Sequence, residues 1–167
     1  PKKDGHRMLI FGEHSGVRGQ KRSLAVVSPL PAEIEEPLFD LVMRSGPFIL
    51  DGELTYLDTA GKEHRTAAQA VTANLALGKG TVPPQARYCI FSALYAKGED
   101  LTAKGQTTTS RMMAAHLLYR SGPEGQRLVD NKHFELLEPH RSTEGKRLLL
   151  EQQALEGREG VIFMDAF

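Results

Sequence analysis

Between Phe48 and Leu57 the chain presents an apolar run, Phe48-Ile49-Leu50, then Asp51-Gly52-Glu53, then Leu54, Tyr56 and Leu57. Two folds compete for such a stretch. An Asp-Gly pair is a favoured two-residue hairpin turn, which would split the run into two short strands. One long strand would instead carry Glu53 outward as a carboxylate at a fixed site. The flanks favour the long strand, because Leu54-Thr55-Tyr56 keeps a strand composition and Asp58-Thr59-Ala60-Gly61 supplies a better turn soon after.

Other segments supply its neighbours. Residues 6–11 contain Met8, Leu9, Ile10 and Phe11 and read as a strand ending at Gly12. Glu13-His14-Ser15-Gly16 is a turn, and residues 17–22 form the hairpin partner, which brings Arg22 back towards the start of the first strand. Residues 87–96 form a strong strand in which Phe91 sits among Tyr88, Ile90, Leu94 and Tyr95; its ring either packs in a core or stacks on a ligand. Residues 134–137 and 161–163 are further strands. Helices are expected from near Pro37 to Gly46 on the spacing of Leu38, Leu41 and Val42, over the alanine-rich residues 65–77, and over about 109–120, where Met113 is expected to pack. A fourth should run from a Ser142 or Thr143 cap to about Leu155. Hairpins are as evident as crossovers, so the expected class is α+β, with mainly antiparallel sheets flanked by helices rather than a doubly wound parallel sheet.

With 167 residues, 40% hydrophobic and 25% charged, the chain suits one ordinary domain with a sizeable core. Its 21 basic and 21 acidic residues cancel, so no overall basic field announces nucleic acid, although Lys2-Lys3 and Lys21-Arg22 could meet phosphates locally. Cys89 is the single cysteine, which excludes an internal disulfide, disfavours a cysteine metal site and suggests a small buried hydrophobe. No apolar run approaches a membrane span and no signal-peptide pattern opens the chain, so a cytoplasmic setting is the expectation.

Lys2-Lys3-Asp4-Gly5-His6-Arg7 reads K-x-D-G-x-R. A terminal lysine is ordinarily a solvated cation, but an amine used as a nucleophile must be deprotonated and held still. Arg7 would favour the neutral amine by like-charge repulsion, and Gly5 would let the backbone lie close to a bound nucleotide.

Taken in order, that stretch, Lys21-Arg22, Leu50-Asp51-Gly52-Glu53, Tyr88-Cys89-Ile90-Phe91 with Leu94-Tyr95, and Glu159-Gly160-Val161-Ile162-Phe163 resemble the nucleotidyltransferase motifs of ATP-dependent DNA ligases. The resemblance covers nearly the whole chain and rests on ordered co-occurrence. It implies a ligase-type nucleotidyltransferase core, ATP-grasp-like, with residues 1–167 forming an adenylation domain incomplete at both ends. It implies that Lys2 takes AMP from ATP as a covalent lysyl adduct, that AMP passes to a DNA 5′-phosphate, and that a 3′-hydroxyl then seals the nick. Lys2, Arg7, Arg22, Glu53, Phe91 and Glu159 match the family's nucleotide-binding residues. Arg7 and Arg22 match arginines on the nucleotide and on the DNA-end phosphate or ribose. Glu53 matches the glutamate that contacts ribose or supports the metal, Phe91 the aromatic stacked on adenine, and Glu159 a carboxylate holding the divalent ion. Glu53 and Glu159 are thus the implied ligands of Mg2+, an ion suited to carboxylate, phosphate and water oxygens. Implied partners are ATP, nicked double-stranded DNA, and a downstream OB-type domain of the same polypeptide.

The chain departs from the family pattern at Met164, where a lysine is usual, and at Ser92, where an aspartate is usual. Two other readings therefore stay open: an RNA ligase or mRNA capping-type nucleotidyltransferase, and a catalytically silent nucleotide- or nucleic-acid-binding module of the same fold.

Overall fold

The structure is a computed structural model that describes residues 5–30, 32–57, 86–138 and 142–155. Lys2, Glu159, Met164, the expected helix over 65–77 and the expected strand over 161–163 lie outside the described residues.

The long-strand reading of residues 48–57 holds. Strand β4 (Phe48–Tyr56) runs unbroken through Asp51-Gly52-Glu53 and stands near the middle of the sheet. On one side it pairs antiparallel with β1 (His6–Glu13), which forms the expected hairpin with β2 (Gly16–Lys21). On the other it pairs antiparallel with β5 (Ala86–Ala96). A two-residue strand, β3 (Val26–Val27), edges β2, and a tight Lys97-Gly98 turn, both residues at positive φ, returns β5 into β6 (Glu99–Asp100). The order is β3-β2-β1-β4-β5-β6, with β7 (Phe134–Leu136) alongside β5. Only the β5–β7 pairing is parallel among those described, so the expected α+β, mainly antiparallel class is the one observed.

Alternation along the strands gives the sheet two unlike faces. Met8, Ile10, Val17, Phe48, Leu50, Leu54, Tyr88, Ile90 and Ala93 are buried on one face, beneath two helices. Each fully buried large side chain of this kind contributes about 1.5–3 kcal/mol. Helix α1 (Ala32–Ser45) contributes Ile34, Leu38, Leu41 and Val42, spaced to form one apolar stripe. It starts a turn and a half before the expected Pro37. The helix tolerates the proline, and the Glu33 carbonyl that loses its partner there, because burying Ile34 demands the extra turn. Gly12 does not end β1 either, but lies within it, where a Cβ would stand 2.5 Å from the Phe48 ring.

Helix α2 (Thr108–Tyr119) is capped by Thr107, whose hydroxyl accepts the Ser110 amide proton at 3.1 Å. It docks through Ala115 and Leu118, while Met113 and Leu117 are about half exposed. The expected packing role of Met113 is corrected: the small Ala115 lets the helix sit close on β5, and that turns the methionine outward. A 3-10 turn at Leu128–Asp130 leads into β7. Helix α3 (Thr143–Leu155) begins as expected, with the Ser142 hydroxyl accepting the Gly145 amide proton at 3.0 Å. No helix among the described residues is long and apolar enough to cross a membrane.

Candidate functional site

The second face of the sheet carries the motif residues. Antiparallel register sets Arg7 opposite Glu53 and Leu9 opposite Asp51, so all four project from the same side of β1 and β4. Arg7 Nε donates to Asp51 Oδ1 at 2.9 Å and Nη2 to Oδ2 at 2.7 Å, a bidentate pair across 44 residues of sequence. The Asp51 carboxylate is nearly buried, whereas the Arg7 side chain stays 60% exposed. A guanidinium offers more donors than one carboxylate can use, and those that remain face solvent and any ligand. Hydrogen bonding to Asp51, then its charge, raises the Arg7 pKa above its ordinary value. The pair carries no net charge, so Arg7 is a weaker electrostatic lever on a neighbouring amine than the sequence suggests.

Glu53 accepts the Gly5 amide proton through Oε1 at 2.7 Å. Gly5 has no room for a side chain: a Cβ would stand 2.3 Å from the Leu54 carbonyl oxygen and 2.8 Å from Glu53 Cγ. The glycine lets its own backbone lie close against β4.

Arg22 returns beside β1, as the hairpin geometry predicts. It lines a hollow of about 190 Å³ together with Arg7, Leu9, Gln20, Lys21 and Leu24. Among the described residues neither Lys21 nor Arg22 has an ion-pair partner, so their charge is available to an anion.

Phe91 lies one strand further along. Gly52 pairs with Ile90 and Asp51 with Ser92, which leaves Phe91 as the extra residue of a bulge in β5. It is half-buried and stands outside the core cluster formed by the described residues. Tyr88, two strands from Met8, is 1% exposed, and its hydroxyl donates to the Met8 carbonyl at 2.7 Å and reaches the Leu50 carbonyl at 3.2 Å. Burial pushes its pKa well above the usual value, so it acts as a neutral donor. Cys89 is fully buried, as expected, with Sγ 3.6 Å from Glu135 Oε2.

Of the six sequence-predicted residues, Arg7, Arg22 and Glu53 therefore gather around β1, with Phe91 at the bulge facing Asp51-Gly52. Lys2 and Glu159 fall outside the described residues. Asp51 was not among the six; its spacing of two from Glu53 on one strand was the available signal, because it places both on one face. Among the described residues no group of three or more His, Cys, Asp or Glu side chains could hold a metal. Mg2+ relies largely on phosphate and water oxygens, and a single half-buried carboxylate such as Glu53 fits that requirement.

No protein-family model matches the sequence, and no curated protein matches it either. Solved structures do. The ligase domain of LigD from M. tuberculosis aligns with 96% of this chain and 46% of its own at a TM-score of 0.60 and 23% identity. A mycobacterial DNA ligase D complexed with ATP and MES aligns over 95% of this chain and 44% of its own, with a TM-score of 0.59 and 22% identity. The ATP-dependent DNA ligase of bacteriophage T7, in complex with ATP, aligns over 95% and 53%, at 0.60 and 15%. The chain thus spans about half the length of these proteins and shares their fold.

Proposed function

We propose that this chain, which carries the fold of ATP-dependent DNA ligase adenylation domains, takes AMP from ATP onto Lys2 and passes it to a DNA 5′-phosphate. The observation that carries the reading is the convergence of Arg7, Glu53 and Arg22 on the open side of β1, beside a hollow where Arg22 has no ion-pair partner among the described residues.

In the first step the Lys2 nitrogen lone pair forms a bond to the α-phosphorus. The bond to the bridging oxygen breaks, pyrophosphate leaves, and the amine loses a proton. A DNA 5′-phosphate oxygen then displaces the lysine, and a 3′-hydroxyl displaces AMP to join the strands. Each step is an in-line substitution at phosphorus, where positioning and charge stabilisation supply most of the rate. Glu53 accepts the Gly5 amide proton, which anchors the chain at a point three residues after Lys2 in sequence. Arg7, aimed by Asp51, and Arg22 present guanidinium groups to phosphate or ribose oxygens. Phe91 offers a half-exposed ring to adenine. Glu53 and Glu159 would hold Mg2+, which neutralises charge on the phosphate oxygens when bound.

Incubation with α-labelled ATP and magnesium tests the reading. The expected result is an acid-labile label on the protein that is lost in Lys2→Ala and is not obtained with GTP. Absence of label, or label that survives Lys2→Ala, overturns it, and label from GTP turns the assignment to a capping-type enzyme.

A further inference from the structure

The two helices that cover the buried face of the sheet each leave an outer stripe to solvent. Their inner stripes enter one core cluster, so both helices lie on the same side of the sheet, away from Arg7 and Glu53. On α1 the exposed residues recur at helical spacing as Glu36, Phe39, Asp40 and Met43, the last 62% exposed. On α2 they are Met113, Leu117 and the capping Arg120. The helix ends meet. Ser45 Oγ lies 2.8 Å from Ser121 Oγ, and Arg44, the single cation of α1, donates through Nη2 to the Gln126 carbonyl at 3.1 Å. The outer stripes therefore belong to one surface.

Its two halves differ in the sign of their charge. Helix α1 holds Glu33, Glu35, Glu36 and Asp40, and among the described residues Glu36 and Asp40 have no ion-pair partner. Helix α2 has no carboxylate. Its Arg111 donates to the Thr108 hydroxyl at 3.1 Å and its His116 lies 3.9 Å from Glu138, which leaves Arg120 as the cation without an ion-pair partner among the described residues. A partner of uniform sign would be drawn to one helix and repelled by the other. The surface is instead complementary to itself. A two-fold axis lying in it and passing between the helices exchanges the halves, whereas α1 packed on α1 would set carboxylates against each other. We infer that this face binds a second copy of the chain, with α1 of each protomer against α2 of the other. Phe39 and Met43 pack on the partner's Met113 and the partner's Leu117, and Asp40 pairs with the partner's Arg120. Both open faces then look outward, so the contact stands independently of the adenylation reading.

Sedimentation equilibrium of the full chain at low and high salt tests the inference, alongside Asp40→Arg, Arg120→Glu, an equimolar mixture of those two, and Leu117→Ser. The parent should dimerise, more weakly as salt rises. Each reversal sets like charges opposite one another on both sides of the axis and should weaken its own dimer roughly tenfold. The mixture should recover the parent affinity, because the reversed position of one copy faces the reversed position of the other while the native pair forms across the axis. Leu117→Ser should also weaken the dimer, yet melt with the parent at a concentration where both are monomeric, since Leu117 is exposed in the single chain. A parent that stays monomeric at hundreds of micromolar, reversals or Leu117→Ser that dimerise as the parent does, or a mixture that fails to recover, overturns the inference. Labelling of the parent by ATP bears only on the adenylation reading, whichever way it falls.

Discussion

A Cβ on Gly52 would stand 2.5 Å from the Cys89 carbonyl oxygen and 2.6 Å from the Tyr88 ring, so the glycine of Asp51-Gly52-Glu53 answers to the interior. Neither neighbour can yield: one is strand backbone, the other a phenol fixed by the Met8 and Leu50 carbonyls. Gly52→Ala should therefore cost about 1–3 kcal/mol, seen as a lower urea midpoint with the slope unchanged. This glycine was legible in the sequence as an oddity in a strand, but its reason was not, because Tyr88 lies 36 residues away and only register brings it underneath. The Arg7–Asp51 pair was hidden in the same way. Each residue sits in a motif of its own, and nothing local says that two strands will set them two positions apart on one face.

At the scale of elements, hydrophobic spacing located β1, β2, β4, β5, α2 and α3 to within a residue or two, since each has a local pattern of burial or a cap. It misjudged which way α2 faces, because Met113, Leu117 and Arg120 form as regular a stripe as Ala115 and Leu118, and only the depth of the groove over β5 chooses between them. The loop before β7 shows how a short element is held by charge. Asp130 Oδ2 accepts from Arg127 Nε at 2.9 Å and Oδ1 from Arg127 Nη2 at 3.0 Å, while Oδ2 also takes the Gly125 amide proton. The arginine bonds first, then the amide, lower the Asp130 pKa. A carboxyl whose folded pKa is depressed contributes its stabilisation above its unfolded pKa and loses it as pH falls through the folded value. The Gly125 amide should thus exchange faster with solvent only as pH falls below the ordinary aspartate value of about 4 and on through the lowered folded one. In Asp130→Asn the acceleration should already be present at neutral pH and change little on acidification beyond the intrinsic rate. An acid profile identical to that of the parent would remove the carboxylate from this role.

For the whole molecule, the decisive property is a sheet with one dry face and one open face. The class could be read from the sequence because turns and apolar runs alternate at hairpin spacing. The parallel return of β7 beside β5 could not, since it depends on where α2 delivers the chain. Stability should be graded accordingly. Amides at the centre of β1, β4 and β5, paired on both sides and covered by α1 and α2, should exchange at the global unfolding rate. Those of α3, whose described side chains are all exposed or half-exposed, should exchange orders of magnitude faster. Uniform protection across both would contradict this gradient. The phenol of Tyr88 has a wider consequence. It joins the main chain at Met8, next to Arg7, to that at Leu50, next to Asp51, so a group that never meets water sets the gap between the strands that bear the guanidinium and its carboxylate. A mutagenesis screen scored only on the proposed nucleotide capture would nominate this interior ring as though it lined the open face, and an inhibitor programme guided by such a screen would be aiming at the far side of a wall.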